Sequence, residues 1–280
     1  MKKEKVLKIL LIIIILILIT GFVVGGIIVY NKINEKDFGT KQLLTQEQAI
    51  EKAKEIAQKL GKDFGNVKGA MYSDYTSSGE IWGISTDTNL SIDIHADTGK
   101  LSSMFDTSID DTKIPSTTNK QQAEKLLKQT YLDLGYKEGE YELKSAGKNM
   151  ISDDTNIWNA DFCKKYDGIY NSGECIRIGI IPEKNHLKTL VIFDYKFENN
   201  EVVIEKDKAT EIAKNKEKER SKDKVLEKIE TKLDIHRTEN DTTRKVWSVD
   251  ITYKNSMYTD RVTYFIDATT GEMVLESFYL

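Results

Sequence analysis

The chain has 280 residues, with 41 Lys and Arg against 45 Asp and Glu and a formal net charge of −4. That balance argues against nucleic acid as the natural ligand, because a polyanion calls for a one-signed basic surface. The only two cysteines are not spaced as CxxC, so thiol oxidoreductase chemistry has no support.

In chain order, the first feature is apolar. Residues Val6 to Tyr30 carry almost no polar side chain, and Ile9–Ile19 carries none. About 20 apolar helical residues cross a bilayer. Lys2, Lys3, Lys5 and Lys8 flank the run, and a basic flank stays in the cytoplasm. The reading is a cytoplasmic basic flank and an uncleaved single-pass transmembrane anchor over 1–30, crossing the membrane with residues 6–30, the alternative being a cleaved signal peptide. No Cys follows the segment, which argues against a lipoprotein anchor. Everything beyond a polar linker at 31–43 would then be extracytoplasmic. Removing the four lysines and one glutamate of the flank (+3) from the total of −4 leaves that outer part near −7.

The outer part reads as one unit written three times. A helix is predicted from Thr45 to Leu60, with Ala49, Ala53, Ile56, Ala57 and Leu60 on one face, Thr45 as N-cap and Gly61 as stop. Strands follow near 67–73, 80–86, 90–96 and 100–105; Leu90, Ile92, Ile94 and Ala96 alternate with polar residues. The second copy opens near Asn119, with Ala123, Leu126, Leu127, Tyr131 and Leu134 apolar and Gly135 as stop, and strands near 140–147, 157–166, 175–182 and 187–198. The third opens near Glu205 with Ala209, Ile212 and Ala213. Its helix is predicted to continue to about Lys228 through Val225 and Leu226, before strands near 231–238, 245–254, 260–267 and 272–279.

Spacing supports the alignment. Ala49 to Trp82 is 33 residues, Ala123 to Trp158 is 35, and Ala209 to Trp247 is 38. Tight turns close the copies at Asp97-Thr98-Gly99-Lys100 and at Asp267 to Glu272 around Gly271, with Asn185 in the glycine role in the second copy. The expected fold class is α+β: an N-terminal transmembrane helix, then three modules at 44–112, 113–200 and 201–280, each a helix packed on an antiparallel sheet.

These residues resemble the PepSY family, whose pattern is a helix with Ala at every fourth position, a Trp-x-Val-x-Ile strand, and a hydrophobic-x-Ile-Asp-x-x-Thr-Gly turn. Here the pattern stands as Thr45…Ala49…Ala53, Trp82-Gly83-Ile84 and Ile94 to Lys100, and again as Trp247 to Ile251 with Val262 to Glu272. The middle copy lacks the turn. The resemblance implies PepSY-like modules and a regulatory or inhibitory role toward an envelope enzyme. It also implies kinship with membrane-anchored proteins that modulate sensor kinases.

Cys163 and Cys175 fall on facing strands of one hairpin, which predicts a disulfide, the alternative being two free thiols. Asp93, His95 and Asp97 share a strand face that could hold a divalent cation, but a solvated face is the preferred reading. Asp106, Asp110 and Asp111 lack the glycine and distal glutamate of a calcium loop and read as polar linker. His186 and His236 are solitary in sequence, and no HExxH, GxSxG or phosphate-loop motif occurs. Lys214–Lys224 mixes both signs, as a solvated helix face does. Trp82, Trp158 and Trp247 read as core anchors, with an exposed aromatic platform as the alternative.

No catalytic residue, cofactor or metal ligand is assigned. The expected function is an extracytoplasmic binding protein that restrains or modulates a peptidase, wall hydrolase or sensor kinase by protein contact. The alternative is a small-ligand or ion sensor.

Overall fold

The computed structural model describes residues 42–76, 79–148, 156–218, 221, 224–238, 242–254 and 260–279. The predicted anchor at 1–30, and all but the last two residues of the 31–43 linker, lie outside these. No described helix is long and apolar enough to cross a membrane. Residues Leu44–Leu280 form one compact unit.

Among the described residues three α-helices form where small apolar residues recur at four-residue spacing, and two of them open on a side-chain cap. Helix α1 spans Gln46–Lys59 and α2 spans Lys120–Asp133. Each opens with a reciprocal capping box, Thr45 with Gln48 and Asn119 with Gln122, so two otherwise unpaired donors are satisfied at each start. Helix α3, Lys206–Glu217, has Glu205 at the cap position without a side-chain bond. The buried faces repeat at four-residue spacing: Ala49, Ala53 and Ala57; Ala123, Leu127 and Tyr131; Ala209, Ala213 and Glu217. The alanines let each helix lie close on the strands beneath it.

The strands are β1 (Val67–Thr76), β2 (Gly79–Thr86), β3 (Leu90–His95), β4 (Leu101–Asp106), β5 (Glu142–Lys148), β6 (Trp158–Tyr166), β7 (Ile169–Ile181), β8 (His186–Asp194), β9 (Lys196–Glu198), β10 (Val225–Arg237), β11 (Thr242–Lys254), β12 (Asp260–Asp267) and β13 (Met273–Tyr279). They join one 13-stranded sheet in the order β1-β2-β3-β4-β8-β7-β10-β11-β12-β13, with β6 and β5 continuing from β7 and β9 beside β11. The β7–β10 and β9–β11 pairings are parallel, so the sheet is mixed.

This overturns the expected fold class of three helix-on-sheet modules. The β4 edge, read from sequence as the end of a first module, pairs with β8 through Ser103, Met104 and Phe105. Pairing satisfies a row of backbone groups that a free edge leaves open. The helix predicted to run to Lys228 ends at Glu217, and Val225, Leu226 and Ile229 belong to β10. A short apolar run fits either period, and Val, Ile, Thr and Leu at alternate positions favour the strand.

One unbroken register crosses eight strands. Ala70, Ile84, Ile92, Met104, Leu190, Ile178, Ala160 and Ala146 are successive partners from β1 to β5. All are apolar, and all belong to or pack against the core that α1 and α2 cover. A second core gathers Ala209 and Ala213 of α3 with Val249, Ile251, Val262, Tyr264 and Ile266.

Candidate functional site

The residues that mark the repeat are structural fasteners. Trp82 Nε1 donates to the Leu44 carbonyl at 3.0 Å, and Trp247 Nε1 donates to the Ile204 carbonyl at 2.7 Å. Both carbonyls lie two residues before a helix. The same residues donate back to the closing turn: Leu44 N to Ala96 O and Ile204 N to Ala268 O, each at 2.8 Å. Gly99 and Gly271 hold φ of +66° and +76° and donate to the carbonyls of His95 and Asp267. Geometry thus aligns Asp267 with His95, and Thr269 with Asp97, a shift of two residues from the alignment of the two aspartates. The tryptophans face the helices, so they form no exposed platform.

The middle copy closes differently. Trp158 is buried and its Nε1 has no hydrogen-bond partner among the described residues. Trp158 pairs with Ile180, which puts Pro182 where Ala96 and Ala268 donate, and proline has no N–H. Glu183 takes over. Its carboxylate accepts from the backbone N–H of Thr117 at 2.7 Å and Thr118 at 2.9 Å, from both threonine hydroxyls, and from Asn156 Nδ2. Partial burial pushes this carboxyl up, but the converging donors outweigh it and bring its pKa down to about 2. Asn185 holds φ of +47° in the glycine place.

Cys163 and Cys175 are cross-strand partners joined by a disulfide. Beside it, buried Asn171 donates through Nδ2 to Glu174 and to Thr243 Oγ1, each at 2.9 Å. Asn171 also makes the β7–β10 bridge, with Ile235.

Asp106 and Asp111 are not solvated linker. Asp106 is 5% exposed, and its Oδ2 lies 2.7 Å from Lys62 Nζ and 3.2 Å from His186 Nε2. Its Oδ1 accepts from Ser108 N and Oγ. Asp111 pairs with Lys188. Asp110 instead caps the short turn Asp111–Lys113 through Thr112 N. The cluster sits where β4 meets β8 and was invisible in sequence, since His186 is far from Asp106 in the chain. Burial pushes the His186 pKa down, Lys62 adds to this, and Asp106 opposes it. Asp106 stays below its ordinary value because Lys62 and Ser108 outweigh its burial.

Of the remaining candidates, Asp93 accepts from Ser103 Oγ at 2.6 Å, and His236 stacks on Phe265 with ring centroids 3.9 Å apart. Among the described residues no group of three or more His, Cys, Asp or Glu is placed to hold a metal ion. In the Lys214–Lys224 segment, Glu217 is buried and accepts from the Tyr264 hydroxyl.

Among the described residues no helix covers the sheet face opposite α1 and α2. One residue along from the apolar row, the partners read Gly69, Ser85, Ser91, Phe105, Thr189, Gly179, Asn159 and Gly147. The flanking row runs through Arg177 and Asp161, paired by two bonds of 2.7 and 3.2 Å, to Ser145. Small side chains leave a shallow trough across the strands. A Cβ on Gly179 would stand 2.6 Å from Asn159 Oδ1 and 3.1 Å from Thr189 Cβ, so a larger residue there would push the Asn159 side chain aside. At the β5 end the trough deepens into a hollow of about 550 Å³ lined by Phe105, Ser145, Asn159, Asp161, Arg177 and Thr189. Phe105 is 43% exposed there.

No family model matches the chain. No curated protein matches it. Among solved structures it is similar to the Bacillus megaterium YpeB C-terminal domain, with 13% identity, 85% of this chain and 99% of that chain covered, and a TM-score of 0.44. A likeness of that degree carries no functional inference.

Proposed function

We propose that this chain is a single-pass membrane protein, N-terminus in the cytoplasm, whose outer part holds or restrains an envelope enzyme or a sensor kinase by protein contact. Binding, not turnover, is its activity. The observation that carries the reading is the uncovered face: α1 and α2 pack on one side of the eight strands from β1 to β5, and the other side presents a trough of small polar residues. The residue pattern resembling PepSY proteins points the same way, toward regulation of peptidases, wall hydrolases or kinases. Chemical crosslinking of the full-length protein in native cells, read by mass spectrometry, tests it. A recurring envelope enzyme or kinase joined to residues beyond 43 is expected; self-crosslinks alone, with expression verified, contradict it.

The hollow of about 550 Å³ favours a second reading, a small-ligand sensor. That reading requires a metabolite that raises the melting temperature of the full chain.

A further inference from the structure

We infer that the free edge of β10 is a docking strand for an extended, acidic segment of the partner protein, an inference that rests on the binding role proposed above. Strand β10 is paired with β11 along its length, from Val225 to Arg237. On its other side the one pairing among the described residues is the bridge from Ile235 to Asn171. The stretch Val225–Leu233 therefore has no strand beside it there, and its outward backbone N–H and C=O groups can take one.

A hollow of about 710 Å³ lies along this stretch and touches Ile229, Glu230, Thr231 and Lys232. Successive residues of a strand point to opposite faces. A cavity that touches four in a row must run along the strand's edge. Helix α3 forms its other wall through Lys206, Thr210 and Lys214, and Thr210 is fastened to the edge by a 2.8 Å hydroxyl–hydroxyl bond with Thr231.

Charge selects the occupant. The acids of this hollow are already matched: Glu230 lies 2.7 Å from Lys228, and Asp250 lies 2.9 Å from Arg261. Lys206 and Lys214 are exposed and have no acidic partner among the described residues. The wall is thus locally positive in a chain of net charge −4. An incoming strand with Asp or Glu at alternate positions on its helix-facing side meets both lysines while its backbone completes the sheet. Val225 and Leu226, 66% and 51% exposed, give apolar footing at one end of the edge.

The test uses the full-length protein in detergent and three labelled decapeptides of high β-propensity: one with alternating Glu, one with alternating Lys, and one with the acidic composition scrambled. Only the alternating acidic peptide is expected to bind, more weakly as salt rises. Amide exchange is expected to slow over Val225–Leu233. K206E with K214E is expected to lower its affinity by at least about tenfold, while K68E with K128E, far from the edge, leaves it unchanged. Equal binding of acidic and basic peptides, unchanged affinity in the reversed pair, or protection confined to other strands overturns the docking edge. Crosslinking the K206E/K214E protein in cells separates the two ideas. Capture of the same partner at the wild-type level overturns the edge and keeps the binding role. A partner never captured by the wild type removes the binding role itself.

Discussion

At the scale of residues, the three tryptophans look alike in sequence and differ in what they hold. Trp82 and Trp247 each spend an indole N–H on the carbonyl that leads into a helix, and Trp158 spends none. Changing each to Phe removes ring volume in every case but a hydrogen bond in only two. Urea denaturation is expected to show W82F and W247F costing about 1 kcal/mol more than W158F; equal costs would remove the fastener role. In the middle copy Glu183 takes the place of the Ala96 and Ala268 carbonyls, as acceptor for the backbone N–H two residues before the helix. Its folded pKa of about 2 lies below the ordinary glutamate value of 4.5, so its contribution is complete above pH 5 and fades as pH falls toward 2. A melting series from pH 6 to pH 2 is expected to slope less steeply for E183Q than for the wild type. Identical slopes would contradict the assignment. The tryptophan spacing and glycine turns were legible because they are local. Glu183 was not, because its donors Thr117, Thr118 and Asn156 come from two distant parts of the chain.

At the scale of elements, the β4–β8 joint is held by the Lys62–Asp106 and Lys188–Asp111 ion pairs, with the His186 ring 3.2 Å from Asp106. Removing one member of a buried pair leaves the other charge without compensation. D106N is expected to cost about 3 kcal/mol by equilibrium denaturation, because the Lys62 charge then stays buried without a counter-charge, with the Leu187 carbonyl as acceptor. His186 favours its neutral form when folded, so its contribution is present above its unfolded pKa and is lost as pH falls below that value. Near pH 6, H186Q is expected to reduce the pH dependence of melting, and an unchanged profile would exclude His186 as its source. Sequence showed three aspartates and called for a linker. Burial by residues about 80 positions later is a tertiary fact no local pattern carries. Strand β10 failed differently: Val225, Leu226 and Ile229 fit both a helical and an extended period, and helix was chosen by continuity with α3.

At the scale of the whole molecule, the repeat in the sequence is real as a pattern and does not divide the sheet into three. The first two copies share one core and an apolar register through eight strands, while the third builds a second core and meets β7 at Ile235 and Asn171. Amide exchange is expected to show residues 44–194 opening together and 206–275 opening as a separate group. Three independent groups would restore the modular picture. Edge pairing between copies was illegible because it depends on which free edges meet, and every strand that pairs across a joint has an ordinary alternating sequence. The uncovered face follows from the same arrangement, and it is there that the account is most exposed to test. The most direct measurement places a photo-crosslinking residue in living cells at Ser85 or Ser145 on the open face, and at Lys54 or Lys125 on the solvent side of the helices. The expected result is one envelope protein captured from the open-face positions and not from the helix positions. Equal capture from both sets, or none from either with the protein present in the membrane, would contradict binding through the open sheet.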